Sequence, residues 1–129
     1  LGVFATGPAI RHPFFNFLAE ATATFLLMFG ILSIVANVDS TTEVAQFAFS
    51  VRLNPLLIGL LIIVIGLGYG GLTAYALNPA RDFAPRLMHA LLPLPNKGPS
   101  NWRYAWIPIT APIIGAVLAA LLFRVIHAA

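Results

Sequence analysis

Between its last two strongly apolar runs the chain carries Asn78-Pro79-Ala80-Arg81-Asp82, delivered by a glycine-rich turn and followed by an amphipathic segment too short to cross a bilayer. Asparagine is a favoured N-cap and proline a favoured first helical residue, so Asn78-Pro79 marks the start of a helix. A helix that starts between two membrane spans sets irregular backbone and a fixed positive charge at membrane depth. Bilayers tolerate this only where protein shields the backbone or water lines it. A simple turn before a short helix is the plainer reading, and it suits a soluble chain better than this one.

Composition places the chain in the membrane class independently. Of its 129 residues, 60% are hydrophobic and 9% charged, with a mean hydropathy of +0.92, whereas a soluble domain needs more charge to cover its surface. The net charge of +3 and a pI near 10.0 come from seven scattered basic residues, which form no stripe for nucleic acid. Cysteine is absent, which excludes disulfides and thiolate metal sites. His12, His89 and His127 are dispersed, so no metal or other cofactor is expected. No nucleophile, base and orienter fall together and no phosphate-cradling loop occurs, which argues against an enzyme. The opening Leu1-Gly2-Val3 has neither an initiator methionine nor signal-peptide features and reads as a fragment beginning inside a loop.

Gly7-Pro8 and His12-Pro13 hold residues 1 to 13 in a loop. Three spans are expected at about 14–38, 55–73 and 104–127, each long enough to cross roughly 30 Å of hydrocarbon, with a half-helix at about 79–92. Residues 39–54 read as a polar loop whose apolar patch, Val44 to Val51, touches the bilayer surface. Trp102, Tyr104 and Trp106 mark a membrane interface. Gly66 and Gly70 stand one GxxxG spacing apart, which favours close approach of another helix, and Gly68 and Gly71 read as packing glycines too.

Few residues can carry chemistry. A helix starting at Asn78 aims the positive end of its dipole, about half an elementary charge, at the membrane centre, and leaves the Asn78 amide able to donate to a passing oxygen. Arg81, one turn on, offers five donors in a planar fork; an intramembrane arginine is a functional candidate by default. Arg86 lies further out and reads as a snorkelling surface residue. Asp82 reads as an acid stabilised by the helix N-terminus. Glu20, the one acid inside a span, reads as a structural post that accepts hydrogen bonds from loop N–H groups. These features point to a permeation path.

With Glu20 in one span, Gly66-Leu67-Gly68-Tyr69-Gly70-Gly71-Leu72-Thr73 ending the next and the Asn-Pro-Ala-Arg box following, the chain resembles the C-terminal half of the major intrinsic proteins. Within that family of aquaporins and glycerol facilitators it looks most similar to the facilitators. The resemblance implies an all-α right-handed bundle of two inverted repeats, of which this chain is the second, assembled as a homotetramer in the plasma membrane. It implies a selectivity filter of Arg81, Tyr75 and Gly66, a carbonyl track from Ala74, Tyr75 and Ala76, and an Asn78-Pro79-Ala80 tip that meets its counterpart from a first repeat. Gly66, Asp82, Arg86 and the Pro108-Ile109 pair favour glycerol over water, Gly66 by widening the constriction. Tyr75 departs from the phenylalanine more usual in facilitators. The expected activity is passive conduction of glycerol, similar small polyols and water. A water-selective aquaporin and a non-conducting membrane scaffold of the same fold are the alternatives. The resemblance puts residue 1 and the loop after the half-helix outside, although Lys97 and Arg103 in that region favour the reverse by charge.

Overall fold

A computed structural model describes residues 1–36, 42–48 and 52–127. The described residues form five helices: α1 (Pro13–Ala36), α2 (Glu43–Ala48), α3 (Asn54–Thr73), α4 (Pro79–Leu91) and α5 (Trp102–His127). No strand occurs among them. Three helices, α1, α3 and α5, are long and apolar enough to cross a membrane. The last residues of the first expected span, 37 and 38, lie outside the described residues.

The segment expected to be a loop after that span instead contains the six-residue α2, with Glu43 in its first turn, where a negative charge complements the helix dipole. Val44 and Phe47 on it are exposed. Residues 49–51 of the expected apolar patch lie outside the described residues.

α1 and α5 run parallel. Phe17 stacks on Trp106 with ring centroids 5.8 Å apart, and Phe29 meets Phe123 edge-on at 6.1 Å. Between these pairs the helices touch backbone to backbone at Gly115, where a Cβ would collide with the carbonyl oxygen of Ala21. The closest helix contact therefore falls on a glycine outside the expected glycine cluster. α3 runs antiparallel to α1: Gly30 faces the Leu61 side chain, and near the other end of α3 the Ala9 N–H donates to Leu72 O at 2.9 Å.

Burial is inverted relative to a water-soluble domain. Leu56, Ile63, Val64 and Leu67 on α3 are exposed, Leu67 by 83%, whereas Glu20, Asp82 and Arg86 are each 0% exposed. Apolar side chains facing outward need no partner in lipid, while backbone and charged groups must be satisfied internally. The polar interior is what positions the site. Pro108 and Pro112 are buried on the inner face of α5, and Pro112 lies against the tip of α4.

Candidate functional site

The site begins where α3 ends. Thr73 is buried, and the chain then reverses through Ala74 (φ 62°), Tyr75 (φ 38°) and Leu77 (φ 57°). A non-glycine residue in this left-handed region costs on the order of 1–3 kcal/mol and persists only when its surroundings hold it. Three contacts do so. Ala74 N–H donates to Gly70 O at 3.0 Å, and Glu20 receives the other two, Ala76 N–H on Oε1 at 2.9 Å and Leu77 N–H on Oε2 at 3.1 Å. Among the described residues no protein donor reaches the carbonyl oxygens of residues 74 to 76.

Asn78 follows in an extended conformation (φ −150°, ψ 122°), and its Oδ1 accepts from Ala80 N–H at 2.9 Å. Pro79 occupies the first helical position, where its missing N–H costs nothing. A cavity of about 210 Å³ surrounds this tip, lined by Thr24, Leu27 and Met28 of α1 and by Pro112, Ile113 and Ala116 of α5. Those residues are the middle turns of both long helices, so α4 starts at mid-span and runs back toward the end where α1 and α5 begin.

One turn into α4, Arg81 is exposed, with its guanidinium carbon 6.0 Å from the centroid of the Tyr75 ring. The Tyr75 ring, 37% exposed, lies back along α3. A Cβ on Gly66 would sit 3.5 Å from its Cζ, and one on Gly70 would sit 3.0 Å from its Cδ1. Arg81, Tyr75 and Gly66 thus come together. The structure corrects one expectation here: within the described residues the Gly66–Gly70 pair receives an aromatic ring and not a helix backbone. Gly68 and Gly71 have nothing within reach of an added Cβ, so no packing role within the described chain attaches to them.

A second correction concerns Arg86. It is fully enclosed and not snorkelling: Nε and Nη2 each reach the Asp82 carboxylate at 2.8 Å, Nη2 also donates to Thr6 O at 2.8 Å, and Nη1 donates to Ser100 O at 2.8 Å. Asp82 accepts from Thr6 N–H at 2.8 Å as well, so it does more than complement a helix end. Around this clasp His89 Nδ1 pairs with Ser100 Oγ at 2.9 Å, and Lys97 donates to the carbonyls of His89, Ala90 and Leu92, closing the end of α4. An ion pair with every donor satisfied tolerates burial, and here it ties residues 4–6, α4 and the 98–101 loop into one unit.

Comparison with known proteins now bears on this geometry. A match to the family described as major intrinsic protein extends over residues 8–123. The chain belongs to the major intrinsic protein family. It is 50% identical over 126 residues to glycerol uptake facilitator protein 3 of Lactiplantibacillus plantarum, covering 98% of this chain and 48% of that protein. It is equally 50% identical over 124 residues to the glycerol uptake facilitator protein of Bacillus subtilis, covering 96% of this chain and 42% of that one. Among solved structures it is similar to the aquaglyceroporin from Plasmodium falciparum, with a TM-score of 0.71 and 26% identity, over 97% of this chain and 50% of that chain. The chain spans about half the length of these relatives.

Within this major intrinsic protein, sequence reasoning passed over Thr6 and Ser100 and read Lys97 only as a loop charge, not as the cap on the end of α4. One signal was available for the clasp: Asp82, Arg86 and His89 recur at helical spacing on a single face of α4, and the first two form an i,i+4 ion pair. Tyr104, read from the sequence as an interface aromatic beside Trp102 and Trp106, is instead buried against α4: its hydroxyl has no hydrogen-bond partner among the described residues and its ring lies 6.0 Å from the Arg86 guanidinium carbon.

Proposed function

We propose that the chain forms the second repeat of a plasma-membrane channel that conducts glycerol, similar small polyols and water passively in either direction. The observation that carries the reading is the start of α4 at mid-span, with Asn78 at the tip and Arg81 one turn behind it. In this reading the lane runs past the Tyr75 and Arg81 side chains and along the carbonyls of Ala74, Tyr75 and Ala76. The guanidinium donates to solute hydroxyls and the carbonyls accept from them, replacing hydrogen bonds to water, while the Tyr75 ring faces the carbon skeleton. At the tip, the Asn78 amide donates to a passing oxygen. The positive end of α4 and the Arg81 charge together repel cations and protons.

A first repeat supplies the opposing half-helix and the remaining wall, and four such subunits form the assembly. No cofactor takes part and no covalent bond changes. The test is reconstitution of the full-length protein in liposomes, with glycerol and water permeabilities read by stopped-flow light scattering. Rapid glycerol entry is the expected result. Vesicles no more permeable than protein-free controls would sink the proposal, and fast water flux without glycerol flux would assign a water channel instead.

A further inference from the structure

We infer that Gly70, one turn beyond Gly66, is the residue that positions the Tyr75 ring and so sets the width of the lane; this rests on the channel reading above. The ring lies lengthwise on α3, its base at Gly70 and its hydroxyl-bearing Cζ at Gly66. A methyl group at Gly66 would meet Cζ at 3.5 Å and Cε2 at 3.6 Å, ordinary contact distances for carbon. At Gly70 it would meet Cδ1 at 3.0 Å and Cε1 at 3.2 Å, inside that range. The two glycines are therefore unequal: Gly66 accepts a methyl group under the ring as it stands, whereas Gly70 accepts one only if the ring gives way by a few tenths of an ångström.

The backbone around the ring has no room to give way. Ala74 N–H is bound to Gly70 O itself, Ala76 and Leu77 N–H are bound to the buried Glu20 carboxylate, and Tyr75 already sits at φ 38°. A clash at Gly70 is therefore relieved by rotation of the side chain off α3. The Arg81 guanidinium also faces the ring, its carbon 6.0 Å from the ring centroid. Movement off α3 goes into the space between the two side chains and narrows it, and a polyol feels that loss more than water does. Gly70 touches no solute in this scheme and acts through Tyr75 alone.

The experiment compares Gly70→Ala, Gly66→Ala, Tyr75→Ala and Gly70→Ala/Tyr75→Ala in the full-length protein in liposomes. The readouts are the glycerol-to-water permeability ratio and the fluorine NMR signal of 3-fluorotyrosine at position 75, assigned by its loss in Tyr75→Phe. Displacement of the ring lowers the glycerol-to-water permeability ratio in Gly70→Ala below that of the wild type. The fall is larger than in Gly66→Ala, it is accompanied by a shift of the Tyr75 resonance, and it disappears in the Tyr75→Ala background. A Gly70→Ala protein that cannot be purified while the double variant can gives the same answer. The inference is overturned if Gly70→Ala leaves ratio and resonance unchanged, if its effect persists without the ring, if Gly66→Ala has the larger effect, or if single and double variants both fail to fold. Wild-type protein that passes no glycerol counts against the channel reading, whereas the fluorine signal still reports ring placement.

Discussion

Removing the Glu20 carboxylate should release the tip that α4 starts from. Glu20 is fully buried and accepts two backbone N–H groups, of which Ala76 N–H belongs to a residue only 3% exposed. Hydrogen bonds to a charged group contribute about 1.5–3 kcal/mol each, so Glu20→Ala costs roughly 3–6 kcal/mol locally before any relaxation. The left-handed residues Tyr75 and Leu77, held in part by those bonds, then add their own tendency to unwind. Glu20→Gln keeps one acceptor oxygen but turns an NH₂ group toward the second donor, so its cost is intermediate. The direct assay is amide hydrogen exchange at Ala76 and Leu77. A loss of about 3 kcal/mol corresponds to exchange on the order of a hundredfold faster in Glu20→Ala. Glycerol flux in liposomes should fall in the same order, wild type above Gln above Ala. Unchanged exchange and unchanged flux in Glu20→Ala would show that the tip is held by something else, and the reasoning would fail.

Arg86→Met leaves the Asp82 carboxylate enclosed without its cation, and breaking such a pair costs about 3–5 kcal/mol. The thermal midpoint in detergent should drop more than in Asp82→Asn/Arg86→Met, where neither charge remains. Gly115→Ala drives a methyl group into the Ala21 carbonyl, and forced separation of α1 from α5 should cost about 1–3 kcal/mol, read as a lower midpoint. Arg81→Ala should leave the fold intact, since Arg81 is exposed, but relax selectivity; the check is ion conductance across planar bilayers, expected to be near zero in the wild type and to rise in the variant.

How much of this was legible in the sequence depends on whether a feature is local. Asn78-Pro79 announced a helix start because capping chemistry lies within adjacent residues, and the apolar runs announced long helices because their length is written directly in the chain. Glu20 stood out because an unpaired acid in a span requires donors, although its partners lie 56 and 57 residues away. Arg86 was misread because, beyond Asp82 four residues before it, its enclosure comes from Thr6, Ser100 and Asn101, and no spacing rule connects those residues to α4. GxxxG spacing records only the absence of side chains. Whether a helix or a ring fills the groove is decided by the reversal at Ala74 and Tyr75, which juxtaposes the aromatic with the helix it has just left.

The reversal after α3 also bears on how such a protein can be re-engineered. On the channel reading, recognition by main-chain oxygens is indifferent to which side chains those residues own, so exchanging Ala74 or Ala76 for other small residues should leave the chemical surface as it was. In that reading, solute preference is altered either at the Arg81 and Tyr75 side chains themselves or through remote props, chiefly the Glu20 anchor and the floor beneath Tyr75. A mutational survey confined to the lining would pass over both.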